Sequence, residues 1–270
     1  MKQVKSSILW QKVILKGDTK ELQEFALSDR SPALTLRAQR GSNSSVVVEC
    51  SARKKNAYHM LKTALEPRSV LTLVFVWRGR QSVNISQQFR VDQGARLHLL
   101  NITRGSCVQE TVSEVAGARG ESRIDWIVHA RGTMECRLSV RNVFQGKNGK
   151  GNLTIRGVVE EKAKVSCNGA VEIEQKASGT QAHLTERILL LDPLSRADAI
   201  PSLDVKTHDV QASHSASVSR IHPEDLFYFA SRGISEKKAR KLFIDGFLSG
   251  MLEDIPNDAL RREAKVTLSE

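Results

Sequence analysis

Short runs of alternating apolar and polar residues follow one another through most of the chain. The runs RLSVR at 137–141 and LTIR at 153–156 are examples. Period two places successive side chains on opposite faces of a strand, so each run predicts one buried and one wet face. Turn-forming residues separate the runs, as in DQG at 92–94 and NG at 168–169. The pattern predicts a succession of about a dozen short strands.

The order of these elements restricts the architecture. No helix-length apolar pattern interrupts the strands from about residue 31 to 220. That excludes an alternating βαβ fold and leaves a sandwich, a barrel or a β-helix. The strands recur at intervals in the teens, but no fixed repeat length establishes a regular solenoid. Residues 1–30 are ambiguous, since 13–15 could begin a strand and 20–27 could form a short helix.

The hydrophobic period changes at Ile221, where two helices are predicted to begin. Pro223 suits the first helical position, and Gly233 suits the position just beyond the helix end. Ser235 is a candidate N-cap for the second helix. The apolar stripe expected on that helix comprises Ala239, Leu242, Phe243, Gly246, Phe247, Gly250 and Met251. A further short helix is expected near Pro256.

These patterns divide the chain into an N-terminal segment (1–30), a β core (31–220) and a C-terminal helical domain (221–270). Three consecutive aromatic residues, Phe227, Tyr228 and Phe229, occur in the first predicted helix. A helix of this kind cannot bury all three, so one or two are expected to face solvent or a partner.

Composition and charge leave the predicted fold unchanged and bear on the location and partners of the protein. The 270 residues are 40% hydrophobic and 26% charged, which is ordinary for a globular protein. No apolar run approaches the roughly 18 residues of a membrane helix, and the first residues are too weakly apolar for a signal peptide. A cytoplasmic, non-membrane protein is therefore expected. The net charge of +11 raises nucleic acid or an acidic protein as partners. Because the basic residues are scattered and lack aromatic neighbours, nucleic acid is the less favoured partner.

Four cysteines occur, Cys50, Cys107, Cys136 and Cys167, and none lies in a CxxC pair. That spacing does not indicate the usual zinc or redox motifs. Reduced, buried thiols are expected.

Several long stretches resemble the SufB/SufD family of iron–sulfur cluster assembly proteins. They are PSLDVKTHDVQASHSASVSRI at 201–221, EDLFYFASRGIS at 224–235, ARKLFIDGFL at 239–248, and RGVVEEKAKVSCNGAVEIEQKASGTQAHLTERILLLDP at 156–193. The resemblance covers the chain from about residue 120 onward and is D-like, with a short or divergent N-terminal part.

The resemblance implies a mainly β fold: a right-handed parallel β-helix core with a small C-terminal α-helical domain. It also implies a non-catalytic scaffold subunit of a SUF-type assembly complex. Such a subunit pairs through the end of its β-helix with a SufB-like subunit or a second copy, and docks on a SufC-like ABC ATPase. No tightly bound cofactor is expected, but a transient iron–sulfur cluster at the dimer interface is.

The resemblance also suggests roles for particular residues. The expected dimer interface comprises Val210, Ala212, Ser213, His214 and Ala216, with His214 as the tentative cluster ligand. The expected ATPase-docking residues are Phe227, Tyr228, Arg232, Gly233, Ile234 and Phe247.

Against the cluster assignment, a histidine on an apolar strand face is more often a core or interface residue than a ligand. Two cysteines common in the family are also missing. Ser195 stands where B-type members carry one before the proline matched by Pro201, and Ala212 replaces the cysteine of the D-type Cys-Ser-His triplet.

Two other functions compete with this interpretation. A β-helix carbohydrate-active enzyme needs paired carboxylates in a groove, and the acidic pairs Glu160–Glu161 and Glu172–Glu174 are both consistent with surface positions. A basic, β-rich nucleic-acid-binding or interaction protein would instead show binding with steep salt dependence.

Overall fold

The computed structural model describes residues 10–253, together with 258, 261 and 262. Residues 1–9 of the predicted N-terminal segment, and the helix expected near Pro256, lie outside the described residues. The described strands are β1 (Trp10–Leu15), β2 (Asp18–Leu27), β3 (Ala33–Ala38), β4 (Asn43–Cys50), β5 (Ala57–Leu65), β6 (Val70–Arg78), β7 (Val83–Val91), β8 (Arg96–Arg104), β9 (Cys107–Val115), β10 (Glu121–Ala130), β11 (Glu135–Phe144), β12 (Lys150–Val159), β13 (Lys164–Ile173), β14 (Thr180–Leu190), β15 (Arg196–Ala199), β16 (Ser202–Val205) and β17 (Val210–Arg220). Two helices follow, α1 (Pro223–Ser231) and α2 (Glu236–Glu253).

The strands form two parallel sheets that the chain visits in turn. Sheet A has the order β1-β3-β5-β7-β9-β11-β13-β15, with β16 also pairing with β13, and sheet B has the order β17-β14-β12-β10-β8-β6-β4-β2. One strand from each sheet makes one turn, which gives a β-solenoid of about eight turns. The prediction of a parallel β-helix is confirmed, and the sandwich and barrel alternatives are excluded.

The turns of the solenoid differ in length. In sheet B, Arg96 lies opposite Glu121, 25 residues later, and Glu121 lies opposite Lys150, 29 residues later. The strands stay in register because the corners take up the difference. Unequal corners explain why the sequence shows no fixed repeat.

The main core lies between the two sheets. Its largest fully buried side chains include Trp77, Trp126, Phe75 and Phe144. All four cysteines are free and buried, so the prediction of buried thiols is confirmed.

A second apolar cluster lies on the outer face of sheet B. Val74, Leu100 and Val158 contribute to it from β6, β8 and β12, and Leu248 and Met251 contribute from α2. The outer face of sheet A carries mostly polar side chains, such as those of Gln88, Glu110 and Arg141. No helix among the described residues has the length and apolarity to cross a membrane.

Two predictions for the helical end are confirmed, whereas the predictions for segment 20–27 and for the apolar stripe of α2 differ from the structure. Pro223 begins α1, and Gly233 follows its end with a φ of +75°, as predicted. The short helix considered possible over 20–27 is wrong, because those residues form part of β2, which pairs with β4. The stripe expected on α2 is only partly correct, since Leu242 is exposed whereas Leu248 and Leu252 are buried against sheet B.

Candidate assembly edge and helical module

Strand β17, the assembly edge, closes sheet B at one end of the solenoid. It pairs with β14 in unbroken parallel register over eleven residues, from Val210 opposite Thr180 to Arg220 opposite Leu190. Among the described strands, none pairs with its other side. Most of its residues are exposed. An edge of this kind presents unpaired backbone N–H and C=O groups to which another chain can add a strand.

Four of the predicted interface residues continue the interior face of the solenoid. They are Val210, Ala212, His214 and Ala216. Each lies beside a buried residue of β14 in the paired register: His214 lies beside Leu184, and Ala216 lies beside Glu186. These side chains are partly or fully exposed because no described strand pairs with the other side of β17. The shared face expected from alternation is present, and the role of these residues as an interface stays a prediction.

Ser213 lies on the opposite, outer face of β17. Its Oγ is 2.8 Å from Nδ1 of His183 on β14. Two residues on, the Ser215 hydroxyl donates to Oγ1 of Thr185 at 3.3 Å. A row of hydroxyl contacts therefore fixes the outer face of the edge to the preceding strand.

His214 is exposed and has no hydrogen-bond partner among the described residues. Nor do any three His, Cys, Asp or Glu side chains of the described residues lie close enough to hold a metal ion. The His214 imidazole can supply one nitrogen ligand, so a metal bound there would need further ligands from outside the described residues.

Neither position at which the family carries a cysteine offers other ligand chemistry. Ser195 is 1% exposed, and its hydroxyl donates to the Asp192 carbonyl at 2.6 Å, which closes the turn before β15. Ala212 presents only a methyl group.

The native thiols lie in the interior and are poor nucleophiles. Burial, and then the Glu186 carboxylate, raise the pKa of Cys167. A hydrogen bond with Cys136, followed by burial, raises the pKa of Cys107. Burial also raises the pKa of Cys50. A thiol must ionise to react or to bind a metal, so the raised pKa values disfavour reaction of these three thiols at neutral pH.

Sequence reasoning missed Glu186, which lies in the interior beneath the assembly edge. The side chain is fully buried, and no hydrogen bond of good geometry reaches either carboxyl oxygen from a described residue. Burial raises the pKa of Glu186 to about 7, and the nearby backbone N–H groups of Gly169 and Ile200 offset part of that rise. A Cβ on Gly169 would lie 2.6 Å from Oε1, so glycine leaves the space that the carboxyl occupies. The sequence does contain a signal for this buried carboxyl: Glu186 alternates with Leu184 and Ile188, so it occupies an inward-facing position of the strand.

Helices α1 and α2 form the helical module, which exposes an aromatic patch. Phe227 is 74% exposed and Tyr228 is 54% exposed. The Arg232 guanidinium carbon lies 4.6 Å from the centroid of the Tyr228 ring, within cation–π range. Gly233 is exposed beside them, and Ile234 is half-buried. We call Phe227, Tyr228, Arg232 and Gly233 the aromatic patch.

Two other aromatic residues hold the module together. Phe229 packs edge-on against Phe243 of α2, with ring centroids 5.4 Å apart. Phe247, expected at the docking surface, is partly buried against the apolar cluster on sheet B. The expectation that part of the Phe227–Tyr228–Phe229 run faces solvent is confirmed.

Two arginines tie the helical module to the solenoid. Arg156 of β12 donates from Nη1 to the Phe247 carbonyl at 2.8 Å. Arg240 of α2 donates from Nη1 to the Leu191 carbonyl at 2.9 Å and lies 3.2 Å from Oδ1 of Asp192. The module therefore contacts both an internal strand and the turn that follows β14.

A groove of about 860 Å³ runs along the first residues of the strands in sheet B, but its carboxylates do not fit glycoside hydrolysis. Asp18 and Glu121 line it on β2 and β10, four strands apart. Strand spacing separates them by about 19 Å, whereas glycosidases hold their carboxyl groups roughly 5–9.5 Å apart.

Many basic residues on the surface are already paired with acids. Arg141 binds Glu172 through two hydrogen bonds, of 2.7 and 2.8 Å. Lys164–Glu135 and Lys206–Glu174 are similar pairs, at 3.0 and 2.9 Å. Such pairs neutralise charge locally, which argues against a continuous phosphate-binding track.

Comparison with known proteins identifies a matching family and several similar proteins. The family model described as "SUF system FeS cluster assembly, SufBD core domain" matches residues 24–247. The chain is 31% identical over 159 residues to the iron–sulfur cluster assembly protein SufD of Bacillus subtilis, which covers 59% of this chain and 36% of that protein. It is 26% identical over 243 residues to an iron–sulfur cluster assembly SufBD family protein of Pyrococcus horikoshii, with coverage of 87% and 54%. Identity to SufD of Escherichia coli is 30% over 113 residues, with coverage of 42% and 27%. The chain thus spans about half or less of the length of these relatives.

Proposed function

The chain belongs to the SufBD core family of SUF-system iron–sulfur cluster assembly proteins, and on that basis we propose that it is a non-catalytic scaffold subunit of a SUF-type assembly complex. One observation carries the proposal. An edge strand whose other side pairs with no described strand and an exposed aromatic patch are joined in one chain by a buried helix–sheet contact. The first suits pairing with a similar solenoid, and the second suits docking of a separate protein.

The proposed pairing partner is a SufB-like subunit or a second copy of this chain. The small side chains of Ala212, Ser213 and Ala216 allow another backbone to approach closely. Strand addition supplies main-chain hydrogen bonds, and the residues of the inner face supply specificity. The iron–sulfur cluster is cargo at this contact: His214 contributes one ligand, and the partner contributes the remainder.

The proposed docking partner of the aromatic patch is a SufC-like ABC ATPase. Exposed Phe227 and Tyr228 are the type of side chain that dominates protein interfaces, and Arg232 stacked on Tyr228 adds a cation beside them. ATP-driven movement of two ATPase subunits would displace two helical modules and thereby rearrange the paired edges.

Co-purification with the ABC ATPase of the same organism tests the docking. The double variant F227A/Y228A is expected to lower the affinity at least about 100-fold, as loss of interface hot spots does. Y58A is the matched control, because Tyr58 is 50% exposed but lies on β5 of sheet A. Unchanged binding by F227A/Y228A, or an equal loss with Y58A, would rule out the aromatic patch.

The pairing is tested by measuring mass in solution, with and without a SufB-like subunit. The double variant A212R/A216R places two charges on the open edge and is expected to abolish the paired species. A64R adds one such charge on the exposed outer face of β5, which already pairs on both sides, and should not affect pairing. The proposal would be contradicted if the wild-type chain were monomeric and also did not bind a SufB-like subunit.

A further inference from the structure

Residues 191–195, the bridging turn, connect β14 to β15 and contact three separate parts of the molecule. We propose that Asp192 in this turn is a positioning residue that couples the helical module to the assembly edge. The inference rests on the proposed function for its purpose, whereas the coupling itself is a property of the isolated chain.

Asp192 uses every one of its oxygen atoms. Oδ1 lies 3.2 Å from Nη1 of Arg240 on α2. Oδ2 accepts the backbone N–H of Glu161, in the preceding turn of the solenoid, at 2.7 Å. The main-chain carbonyl accepts the Ser195 hydroxyl and Nη1 of Arg220, the last residue of β17. One residue thus contacts the helical module, the preceding turn and the assembly edge.

Two arginines, Arg240 of α2 and Arg220 of β17, bind the bridging turn. Arg240 also donates to the Leu191 carbonyl at 2.9 Å, so it holds two consecutive residues of the turn. Arg220 also reaches the Ser195 carbonyl, at 3.4 Å. The Asp192 and Arg240 side chains are only 25% and 24% exposed, which strengthens a charge-assisted contact relative to one in open water. A continuous path of polar contacts therefore runs from α2 through the bridging turn to β17.

Arg156 provides the second contact between α2 and the solenoid, and it attaches at a different place from Arg240. Arg156 joins the Phe247 carbonyl to β12, which pairs with β10 on one side and β14 on the other. Force applied there is shared by a strand bonded along both edges. The bridging turn instead acts on β17, which among the described strands pairs on one side only and opens at lower cost. Movement of α2 is therefore passed selectively to the assembly edge and to the turn that carries Ser195.

Hydrogen exchange of the full chain, measured without any partner, tests this path. R240M should raise the exchange rates of the protected amides in 210–220 about tenfold, since a partly buried charge-assisted contact is lost. R156M should loosen α2 but leave 210–220 within about twofold of wild type. E236Q removes the other carboxylate partner of Arg240, at 2.9 Å on the same helix, and should leave β17 unchanged.

R220M tests the path from its other end. It should loosen 210–220 as R240M does, while α2 keeps its protection. R240K retains the positive charge but has fewer hydrogen-bond donors. The exchange rates of 210–220 in R240K are expected to lie between those of wild type and R240M, and R240K replaces R240M in the test if R240M does not fold.

Two outcomes would overturn the inference. In the first, R240M loosens α2 alone and leaves β17 protected. In the second, R156M loosens β17 as much as R240M does, which would mean that loss of helix packing, not the bridging turn, is responsible. Because no ATPase is present, either failure leaves the docking proposal untouched, and absence of ATPase binding would leave this test intact.

Discussion

Strands β14 and β17 are neighbours in the same sheet and lie in register over eleven residues, yet they have opposite environments. The inner face of β14 is fully buried, including Leu184 and Ile188, while their counterparts His214 and Val218 on β17 are exposed. Between its end residues Val210 and Arg220, β17 has no proline, no lysine and no bulge. Those are the usual means of protecting a free edge. An edge without them is suited to being covered by another strand.

The largest expected effect comes from equivalent truncations at paired positions in the two strands. L184A removes a fully buried side chain and should lower the free energy of unfolding by about 2–5 kcal/mol. H214A, at the partner position on β17, should change it by no more than about 0.5 kcal/mol in the isolated chain. Urea unfolding monitored by tryptophan fluorescence measures both. Similar losses in the two variants would mean that β17 is already covered in the isolated chain.

The second expected effect concerns Glu186, the interior carboxyl of β14. Its pKa of about 7 in the folded protein lies above the ordinary glutamate value, because burial disfavours the charged form. Between these two pKa values the folded chain keeps a proton that the unfolded chain has released, so stability falls as the pH rises through this window. The total loss is about 3 kcal/mol, at about 1.4 kcal/mol per pKa unit. In thermal unfolding between pH 5 and 8, E186Q should abolish this decline.

E172Q is the matched control for Glu186. A hydrogen bond from Arg141 lowers the pKa of Glu172, so its contribution to stability is present above the ordinary glutamate pKa and is lost only as the pH falls through the lowered value. E172Q should therefore leave the decline between pH 5 and 8 in place. If E186Q retained the full decline, another group would have to be its source.

The smallest expected effect is a difference in thiol reactivity between the interior and the edge. The four native cysteines should label slowly with a thiol reagent, because all are buried. In A212C, one additional thiol on β17 should react about 100-fold faster. S195C, at the other family cysteine position, should stay slow, because Ser195 is 1% exposed. Equal rates for the two variants would contradict the difference in accessibility between the edge and the bridging turn.

Alternation of apolar and polar residues was sufficient to predict strands but not their arrangement. Because the turns vary in length, the pattern could not separate a solenoid from a sandwich, and the resemblance to a family supplied that step. The segment 20–27 was left ambiguous, with a short helix as one possibility. In the structure, the register of β2 with β4 shifts between Asp18 and Leu22, which is an irregularity that strict alternation does not anticipate.

The candidate site was only partly predictable for a physical reason. Residues of β17 lie on a single strand, so local periodicity was enough to group them. The contacts of Asp192 with Arg220 and Arg240 join residues 28 and 48 positions apart and leave no local pattern. Glu186 was not singled out, because a single polar residue at an inward position looks like a defect in the alternation.

The unequal corners of the solenoid have a consequence for how such a chain can diverge. A residue inserted within a strand would turn every later side chain of that strand to the other face, whereas a residue inserted at a corner changes only the loop. Steps of 25 and 29 residues coexist in one sheet without a shift in register. Gains and losses of sequence should therefore accumulate at the corners while the strands keep their alignment.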